Sequence, residues 1–196
     1  MKEKLDNILN NISFIPESQL EEFYKVTSLK NIQKGDYFIQ EGERPYSLGF
    51  VINGLFRYFY FNHKNGEEFT KGFILKNFAL AEFSALIQNR EAYYSIEALE
   101  DSTVAVIQYN QWQKLVNKHN SWDKLIIKLL ESGYCLKVAR ERELLLYDAE
   151  TRYKIFLERY PGLEKRIKQH IIASYVGITP VALSRIRKKM GLINIG

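Results

Sequence analysis

The sequence is poor in cysteine and histidine, with one cysteine and three histidines among 196 residues. Cys135 cannot form a disulfide within the chain, and a single thiol cannot hold an iron–sulfur cluster. No run of about 18 uncharged apolar residues is present, which argues against a transmembrane helix. Residues 1–6 alternate in charge and lack the apolar core of a signal peptide. We therefore expect a cytoplasmic protein without membrane contacts.

The few histidines also argue against catalysis. His63, His119 and His170 lie in three different regions, whereas a metal-dependent β-barrel enzyme needs clustered His and carboxylate ligands. No Gly-x-Ser-x-Gly nucleophile motif or phosphate-binding glycine loop stands out. The sequence therefore predicts that the protein is not an enzyme and has no catalytic residues, no metal and no cofactor.

Basic residues, by contrast, are concentrated near the end of the chain. Residues 1–150 contain 18 Lys and Arg against 21 Asp and Glu, whereas residues 151–196 contain 10 against 2, a net charge of +8. A basic module on a mildly acidic body is typical of proteins that bind a polyanion such as nucleic acid. An ordinary solvated basic surface is the alternative.

The first 107 residues predict short helices followed by β-structure. Residues 1–28 show helical spacing of apolar residues, and residues 29–107 alternate aromatic or β-branched residues with polar ones between glycine turns. The predicted strands are residues 37–40, 48–52, 55–61, 69–75, 95–99 and 103–108. Strands at this spacing predict an antiparallel barrel or sandwich. With the helices, the fold class is α+β.

From residue 109 the pattern becomes helical. An apolar-rich segment without proline spans residues 122–147, and its apolar residues cover more than one face. We expect one long helix that packs on its own domain and on a second copy of the chain, which gives a homodimer. Arg140 and Glu143 interrupt the apolar stripe, and a buried helix in a monomer is the alternative.

Residues 168–189 predict two helices joined by a tight turn. Gly177 suits the left-handed residue that ends the first helix, and Thr179 followed by Pro180 suits the start of the second. Leu183 begins the apolar positions that face inward. This pattern predicts a helix-turn-helix whose recognition helix is Pro180–Lys189. An ordinary pair of antiparallel helices is the alternative.

The residues that we expect to contact double-stranded DNA lie on both of these helices. An α-helix fits the major groove, where Arg185 matches the two acceptors of guanine. The N–H groups that start the preceding helix suit a phosphate. The predicted DNA-binding residues are Lys168, Gln169, His170, Thr179, Val181, Ser184, Arg185, Arg187 and Lys188.

The β-region and the break after the long helix carry motifs of a known family. The β-region motifs are Lys34-Gly35, Phe38, Glu41-Gly42, Val51-Ile52-Asn53-Gly54, Arg57, Asn65-Gly66-Glu67 and Phe73, and the break reads Asp148-x-x-x-Arg152. In this order they resemble the Crp/Fnr family of bacterial transcription regulators. The resemblance implies N-terminal helices and an antiparallel β-roll sensor in residues 1–120, a dimerisation helix in residues 121–147, and a helix-turn-helix DNA-binding domain in residues 148–196.

The resemblance also identifies departures in the nucleotide pocket. Family members that bind cyclic AMP carry a Gly-Glu pair and an arginine that grips the cyclic phosphate. Here the pair is Ala81-Glu82, the arginine position falls on Ala92, and Tyr93 follows it. On a strand Arg90 would share the face of Ala92, but its side chain would start roughly 6.6 Å away. Without the arginine, a buried phosphate loses a charge-assisted pair of hydrogen bonds.

In the family members that bind cyclic AMP, two residues of the long helix contact the purine. The resemblance places these two positions on Lys137 and Val138 here. We therefore expect that the pocket does not bind cyclic AMP. Two alternatives stay open, a small-molecule effector of unknown identity and a sensor domain without an effector.

The C-terminal end departs as well. Many family members follow the recognition helix with a β-wing, and residues 191–196 are too few for a hairpin, so we expect a reduced or absent wing. A second functional alternative is a ligand-binding signalling module whose basic tail contacts a protein or a membrane. Salt-dependent binding to duplex DNA separates the two functions.

Overall fold

A computed structural model describes residues 2–192 of the chain. The helices are α1 (Lys2–Ile12), α2 (Glu17–Lys25), α3 (Phe83–Gln88), α4 (Tyr109–Lys118), α5 (Asn120–Leu146), α6 (Ala149–Arg159), α7 (Gln169–Val176) and α8 (Pro180–Lys189), with a short 3₁₀ helix at Leu163–Lys165. The strands are β1 (Thr27–Ile32), β2 (Tyr37–Ile39), β3 (Ser47–Asn53), β4 (Leu55–Asn62), β5 (Glu67–Leu75), β6 (Ala79–Leu80), β7 (Ser95–Ala98) and β8 (Ser102–Gln108). Residues 193–196, in which part of the reduced wing was expected, lie outside the described residues.

The chain divides into two compact units. The first contains the chain up to Tyr60 together with Gly72–Tyr134, and the second contains Phe61–Lys71 together with the chain from Cys135 onward. The first unit thus holds most of the β-structure and α1 to α4. The second holds the end of the β4–β5 hairpin and the C-terminal helices.

The strands form two four-stranded antiparallel sheets, ordered β1-β8-β3-β6 and β2-β7-β4-β5. Alternate side chains of these strands, among them Val51, Phe56, Ile96 and Val104, share one buried cluster. A strand presents every second side chain to the same face, so the alternating pattern read from the sequence fills this core. The antiparallel β-roll predicted from the sequence is confirmed.

An aromatic cluster packs the helices of the first unit against β3. Phe23 from α2 lies 6.0 Å from Phe50 of β3 and 5.2 Å from Trp122 of α5, measured between ring centroids. Trp112 of α4 lies 5.4 Å from Trp122. All four side chains are almost fully buried. Buried aromatic side chains contribute both area and specific ring geometry, so this cluster fixes α2, α4 and the start of α5 to the sheet.

Three elements were missed by the sequence analysis: β1, β6 and α3. Four of the six residues of β1 are exposed, so the strand shows no alternation of apolar and polar residues. It is nevertheless paired with β8 along its whole length, from Thr27 opposite Ile107 to Ile32 opposite Ser102. The hydrogen bonds of the sheet, which a hydrophobic pattern does not report, define this strand.

In the second unit the hairpin end is bonded to α7. The Ser174 hydroxyl accepts a hydrogen bond from the Thr70 backbone N–H at 2.8 Å and donates one to the Glu68 carbonyl at 2.5 Å. β5 is the outer strand of its sheet, so one side of its backbone has no strand partner. One serine side chain therefore satisfies a donor and an acceptor of this open edge.

Gly54, in the turn between β3 and β4, generates a prediction about stability. Its φ is +115°, and a Cβ at this position would lie 2.8 Å from the backbone Cα of Ser102. An alanine in the left-handed conformation costs about 1–2 kcal/mol of stability. In Gly54→Ala the steric overlap with Ser102 adds about 1–3 kcal/mol to that cost. We expect a clear drop in the free energy of unfolding, measured by denaturant titration.

Gly35→Ala is the matched control. Gly35 has a φ of +92° but no atom within 4 Å of the added Cβ, so only the backbone cost applies. Equal destabilisation by the two variants would show that the contact with Ser102 is unimportant.

Candidate functional site

The candidate DNA-contacting surface is built on α7 and α8, which are joined by residues 177–179. α7 ends at Gly177, whose φ of +76° lies in the left-handed region that glycine adopts without strain. At the start of α8 the Thr179 hydroxyl accepts a hydrogen bond from the Ala182 N–H at 3.2 Å, and Pro180 occupies the first helical position. These are the turn residues that the sequence analysis singles out.

The two helices bury one face and expose the other. Ile172, Ala173 and Leu183 are fully buried. The α8 face, which we define as Val181, Ser184, Arg185 and Lys188, is exposed at all four positions. Lys168, Gln169 and His170 at the start of α7 are exposed as well. The structure therefore places both predicted groups of contact residues at the surface of the second unit.

Two of the predicted contact residues have roles inside the unit. The Thr179 side chain caps α8. Arg187 is half-buried and its Nε is enclosed by protein atoms. Burial raises the pKa of the Tyr153 hydroxyl, and the positive charge of Arg187 partly offsets that rise. Arg187 therefore lies on the packed side of α8, towards α6, and not on the α8 face.

A buried ionic group, which we call the Glu143 cluster, joins α5, α6 and α7. Its members are Arg140, Glu143, Arg159 and Tyr175. Arg140 donates to the Glu143 carboxylate at 2.8 Å and to the Tyr175 carbonyl at 2.6 Å, and its guanidinium lies 3.8 Å from the centre of the Tyr175 ring. Arg159 donates to both Glu143 oxygens and, at 2.7 Å, to the Tyr175 hydroxyl. One carboxylate is thus shared by arginines from two helices.

The charges in this cluster stabilise one another. Burial alone would raise the pKa of Glu143, but the hydrogen bonds and positive charges of Arg159 and Arg140 outweigh it and lower the pKa below its ordinary value. In the sequence, Arg140 and Glu143 stand out only as interruptions of an apolar stripe. The available signal was an acid–base pair at i and i+3 within an otherwise apolar helix, since such neighbours face each other.

Asp148 and Arg152, the residues of the motif at the break after the long helix, fix the start of α6. The Asp148 carboxylate accepts a hydrogen bond from the Thr151 N–H at 2.8 Å and caps the helix. Arg152 donates to the Tyr147 carbonyl at 2.6 Å and to the Val176 carbonyl at 2.8 Å. The last carbonyls of a helix have no partner within that helix, so Arg152 links the ends of α5 and α7.

In the first unit, three of the predicted pocket residues meet around α3. The Glu82 carboxylate is buried, caps α3 through the Ala85 N–H and accepts a hydrogen bond from Ser84 at 2.8 Å. Arg90 donates to the Ser84 hydroxyl at 2.8 Å, lies 3.8 Å from a Glu82 oxygen and stacks 3.5 Å from the centre of the Tyr93 ring. Glu82, Arg90 and Tyr93 are therefore brought together by contacts with one another.

The expectation that Arg90 shares a strand face with Ala92 is wrong. Asn89 ends α3 in the left-handed conformation with φ of 48°, and the Arg90 N–H bonds to the Ala85 carbonyl at 3.1 Å. Arg90 therefore belongs to the end of the helix, and β7 begins only at Ser95. Ala92 is buried, and its backbone bonds to Gly42 and Glu43.

Lys137 and Val138, the remaining predicted pocket residues, lie on α5 in the second unit and are exposed.

Across residues 2–192, no helix is long and apolar enough to cross a membrane. Within the same residues, no three His, Cys, Asp or Glu side chains are grouped as metal ligands would be.

Comparison with known proteins identifies the β-rich part. Residues 29–119 match the sequence profile of the cyclic nucleotide-binding domain family. The matched residues include strands β2 to β8. Glu82, Arg90, Ala92 and Tyr93 all fall within it. A search of curated protein sequences gave no match to the chain.

Over most of its length the chain is Crp/Fnr-like in fold. It resembles a protein from Eubacterium rectale assigned to the transcriptional regulators of the Crp/Fnr family, with a TM-score of 0.76, 15% identity and coverage of 93% of this chain and 88% of that one. CLP of Xanthomonas campestris, a global regulator responsive to c-di-GMP, gives a TM-score of 0.75 at 16% identity, with coverage of 92% of this chain and 96% of that one. FixK2 of Bradyrhizobium japonicum gives a TM-score of 0.74 at 16% identity, with coverage of 87% of this chain and 89% of that one. The resemblance read from the sequence is confirmed.

The Glu143 cluster of this Crp/Fnr-like chain generates a prediction about acid stability. A carboxyl group whose pKa is lower in the folded state stabilises the fold above its ordinary pKa of about 4.5 and loses that contribution as the pH falls further. Glu143→Gln removes the charge and leaves the buried Arg140 and the half-buried Arg159 without their shared partner, so we expect a loss of about 3 kcal/mol at neutral pH. Denaturant unfolding between pH 7 and pH 3 should give a shallower pH dependence for this variant.

Glu141→Gln, an exposed change on the same helix, is the control. It should keep the pH dependence of the native chain. If Glu143→Gln also keeps it, the carboxylate of Glu143 is not the group that titrates.

Proposed function

We propose that the chain is a DNA-binding transcription regulator, a homodimer whose helix α8 enters the major groove and whose sensor domain does not respond to cyclic AMP. The observation that carries this proposal is the α8 face, a stripe of exposed residues on a short helix that is held by buried contacts. The regulators with a similar fold support it as well.

The charges of the second unit support binding to a polyanion. Residues 151–196 carry a net charge of +8. Arg185 and Lys188 are exposed, and within the described residues their side chains form no ion pair. Lys168 lies at the start of α7, whose first N–H groups have no side-chain cap. Phosphate oxygens accept hydrogen bonds from cationic side chains and from free helical N–H groups.

The chemistry of the α8 face suits base recognition. The forked guanidinium of Arg185 matches O6 and N7 of guanine, the Val181 methyls match the methyl group of thymine, and Ser184 can bind a base or a phosphate. Thr179 starts the helix at the end that points towards the groove. Lys168, Gln169 and His170 take the phosphate contacts that set the orientation. Residues 148–196 are then the DNA-binding domain.

Helix α5 supports the homodimer. Its exposed apolar side chains include Ile127, Leu130, Tyr134, Val138 and Leu145, at spacings of three, four and seven residues. Such spacing places side chains along one face of a helix, where a second copy of α5 can cover them. A two-fold dimer matches palindromic half-sites about 34 Å apart. A strictly monomeric species in sedimentation, with and without DNA, would contradict this part of the proposal.

The contacts around Glu82 support the absence of a response to cyclic AMP. Arg90 lies two residues before Ala92, and it already bonds to Ser84, Glu91 and Gln88 and stacks on Tyr93. The buried carboxylate of Glu82 occupies the start of α3. A cyclic phosphate would have to displace these bonds and lie close to a negative charge. An effector of other chemistry and a sensor without an effector both remain compatible with this site.

The DNA-reading role of Arg185 gives a direct test. Arg185→Ala should cost about 1–3 kcal/mol on the preferred duplex and relax the preference at one base pair in each half-site. Lys168→Ala should weaken all sequences alike and reduce the salt slope by about one unit for each phosphate it no longer neutralises. The preferred duplex is defined first by selection from random DNA, and binding is then measured across a salt series.

The two variants have opposite signatures in this one experiment. If Arg185→Ala leaves the ratio of preferred to scrambled affinity unchanged, Arg185 contacts only the backbone. If the native chain binds neither duplex in a salt-dependent manner, the regulator function is wrong.

Calorimetric titration tests the sensor domain. We expect no heat of binding at micromolar cyclic AMP or cyclic GMP, because Ala92 provides no charge for the phosphate and Arg90 is already bonded. A micromolar dissociation constant would show that Arg90 leaves its partners to bind the nucleotide.

A further inference from the structure

Glu150 holds two lysines beside the α8 face. Its carboxylate lies 2.9 Å from the Lys154 ammonium, one helical turn further along α6, and 2.6 Å from the ammonium of Lys189 at the end of α8. The Glu150 side chain is 26% exposed and that of Lys189 is 74% exposed. The group is therefore at the surface, with the acid more enclosed than the base it holds.

Lys189 lies at the margin of the α8 face. It follows Arg185 by four residues, and residues four apart lie next to each other on a helix. The other basic residues at the end of α8 point elsewhere: Arg187 lies on the packed side, and Lys188 belongs to the α8 face itself. The exposed ammonium of Lys189 is therefore accessible to a DNA backbone that passes along the margin of the α8 face.

We propose that Lys189 is a further phosphate-binding residue, which Glu150 holds in the free protein and releases to the DNA backbone. This inference rests on the proposed DNA binding. Glu150 then limits the affinity for DNA, because it competes with phosphate for a contact that is independent of base sequence.

The pairing with Lys154 makes this exchange feasible. An exposed ion pair is weak in water, so a phosphate oxygen competes well for Lys189. When Lys189 leaves, Glu150 still has Lys154 at i+4, the favourable order for an acid and a base on one helix. The carboxylate is therefore not left unpaired next to the DNA. Without Lys154, the departure of Lys189 would leave an unpaired negative charge near the phosphates.

The competition affects every DNA sequence. Contacts to phosphate supply most of the affinity for non-specific DNA. An acid that withholds one such contact lowers binding to every sequence by a similar factor. Removal of Glu150 should therefore strengthen binding to scrambled and preferred duplexes alike.

The test is a double-mutant cycle on the full chain with Glu150→Gln and Lys189→Ala. Binding to preferred and scrambled duplexes is measured across a salt series. We expect Lys189→Ala to reduce the salt slope by about 0.9, the value for one phosphate contact, and Glu150→Gln to tighten binding to both duplexes about threefold. In the Lys189→Ala background Glu150→Gln should have no further effect. Lys154→Ala should weaken binding, because Glu150 then keeps Lys189.

Glu158→Gln is the matched control, since it removes the same charge from an exposed position of α6, and Glu158 forms no ion pair within the described residues. If Glu150→Gln tightens binding equally with and without Lys189, or no more than Glu158→Gln does, the effect is a general change of charge and the inference is wrong. In that case the native chain still binds DNA. Loss of salt-dependent binding by the native chain itself would instead remove the proposed function.

Discussion

The sharing of one buried carboxylate by two arginines sets the geometry of the candidate DNA-binding part. Glu143 lies between Arg140 of its own helix and Arg159 of α6, and both arginines also bond to Tyr175 near the end of α7. α8 begins only four residues after α7 ends. The position of the α8 face thus depends on bonds made well away from it, in the protein interior.

A buried ionic group of this kind contributes more to uniqueness than to stability. The cost of removing charges from water offsets much of their attraction, and apolar side chains of the same size often stabilise a fold as well. Apolar contacts, however, tolerate small slides of one helix along another. The bonds from Arg140 and Arg152 reach the backbone carbonyls of Tyr175 and Val176, so a slide of α7 by even one residue breaks them. We interpret the cluster as the element that fixes the register of three helices.

Sequence reasoning succeeded where local rules decide the structure and failed where distant partners do. Alternating strands with glycine turns, and the turn formed by Gly177, Thr179 and Pro180, follow from preferences of a few neighbouring residues. β1 has no such pattern and exists because β8 lies beside it. Arg187 looked like one more cation on a basic helix, and only the packing of α8 against α6 shows that it points inward. Arg90 was placed on a strand because the end of α3 carries no strong sequence signal.

The serine bonded to the edge of β5 has a consequence for association between chains. An open strand edge offers its N–H and C=O groups to any other extended chain, and this is how many folded proteins begin to aggregate. Ser174 occupies both groups at Thr70 and Glu68 as long as α7 stays in place. The bonds that hold α7 therefore also keep this edge closed. A chain whose α7 detaches would expose a template for intermolecular β-pairing before the rest of the β-roll unfolds.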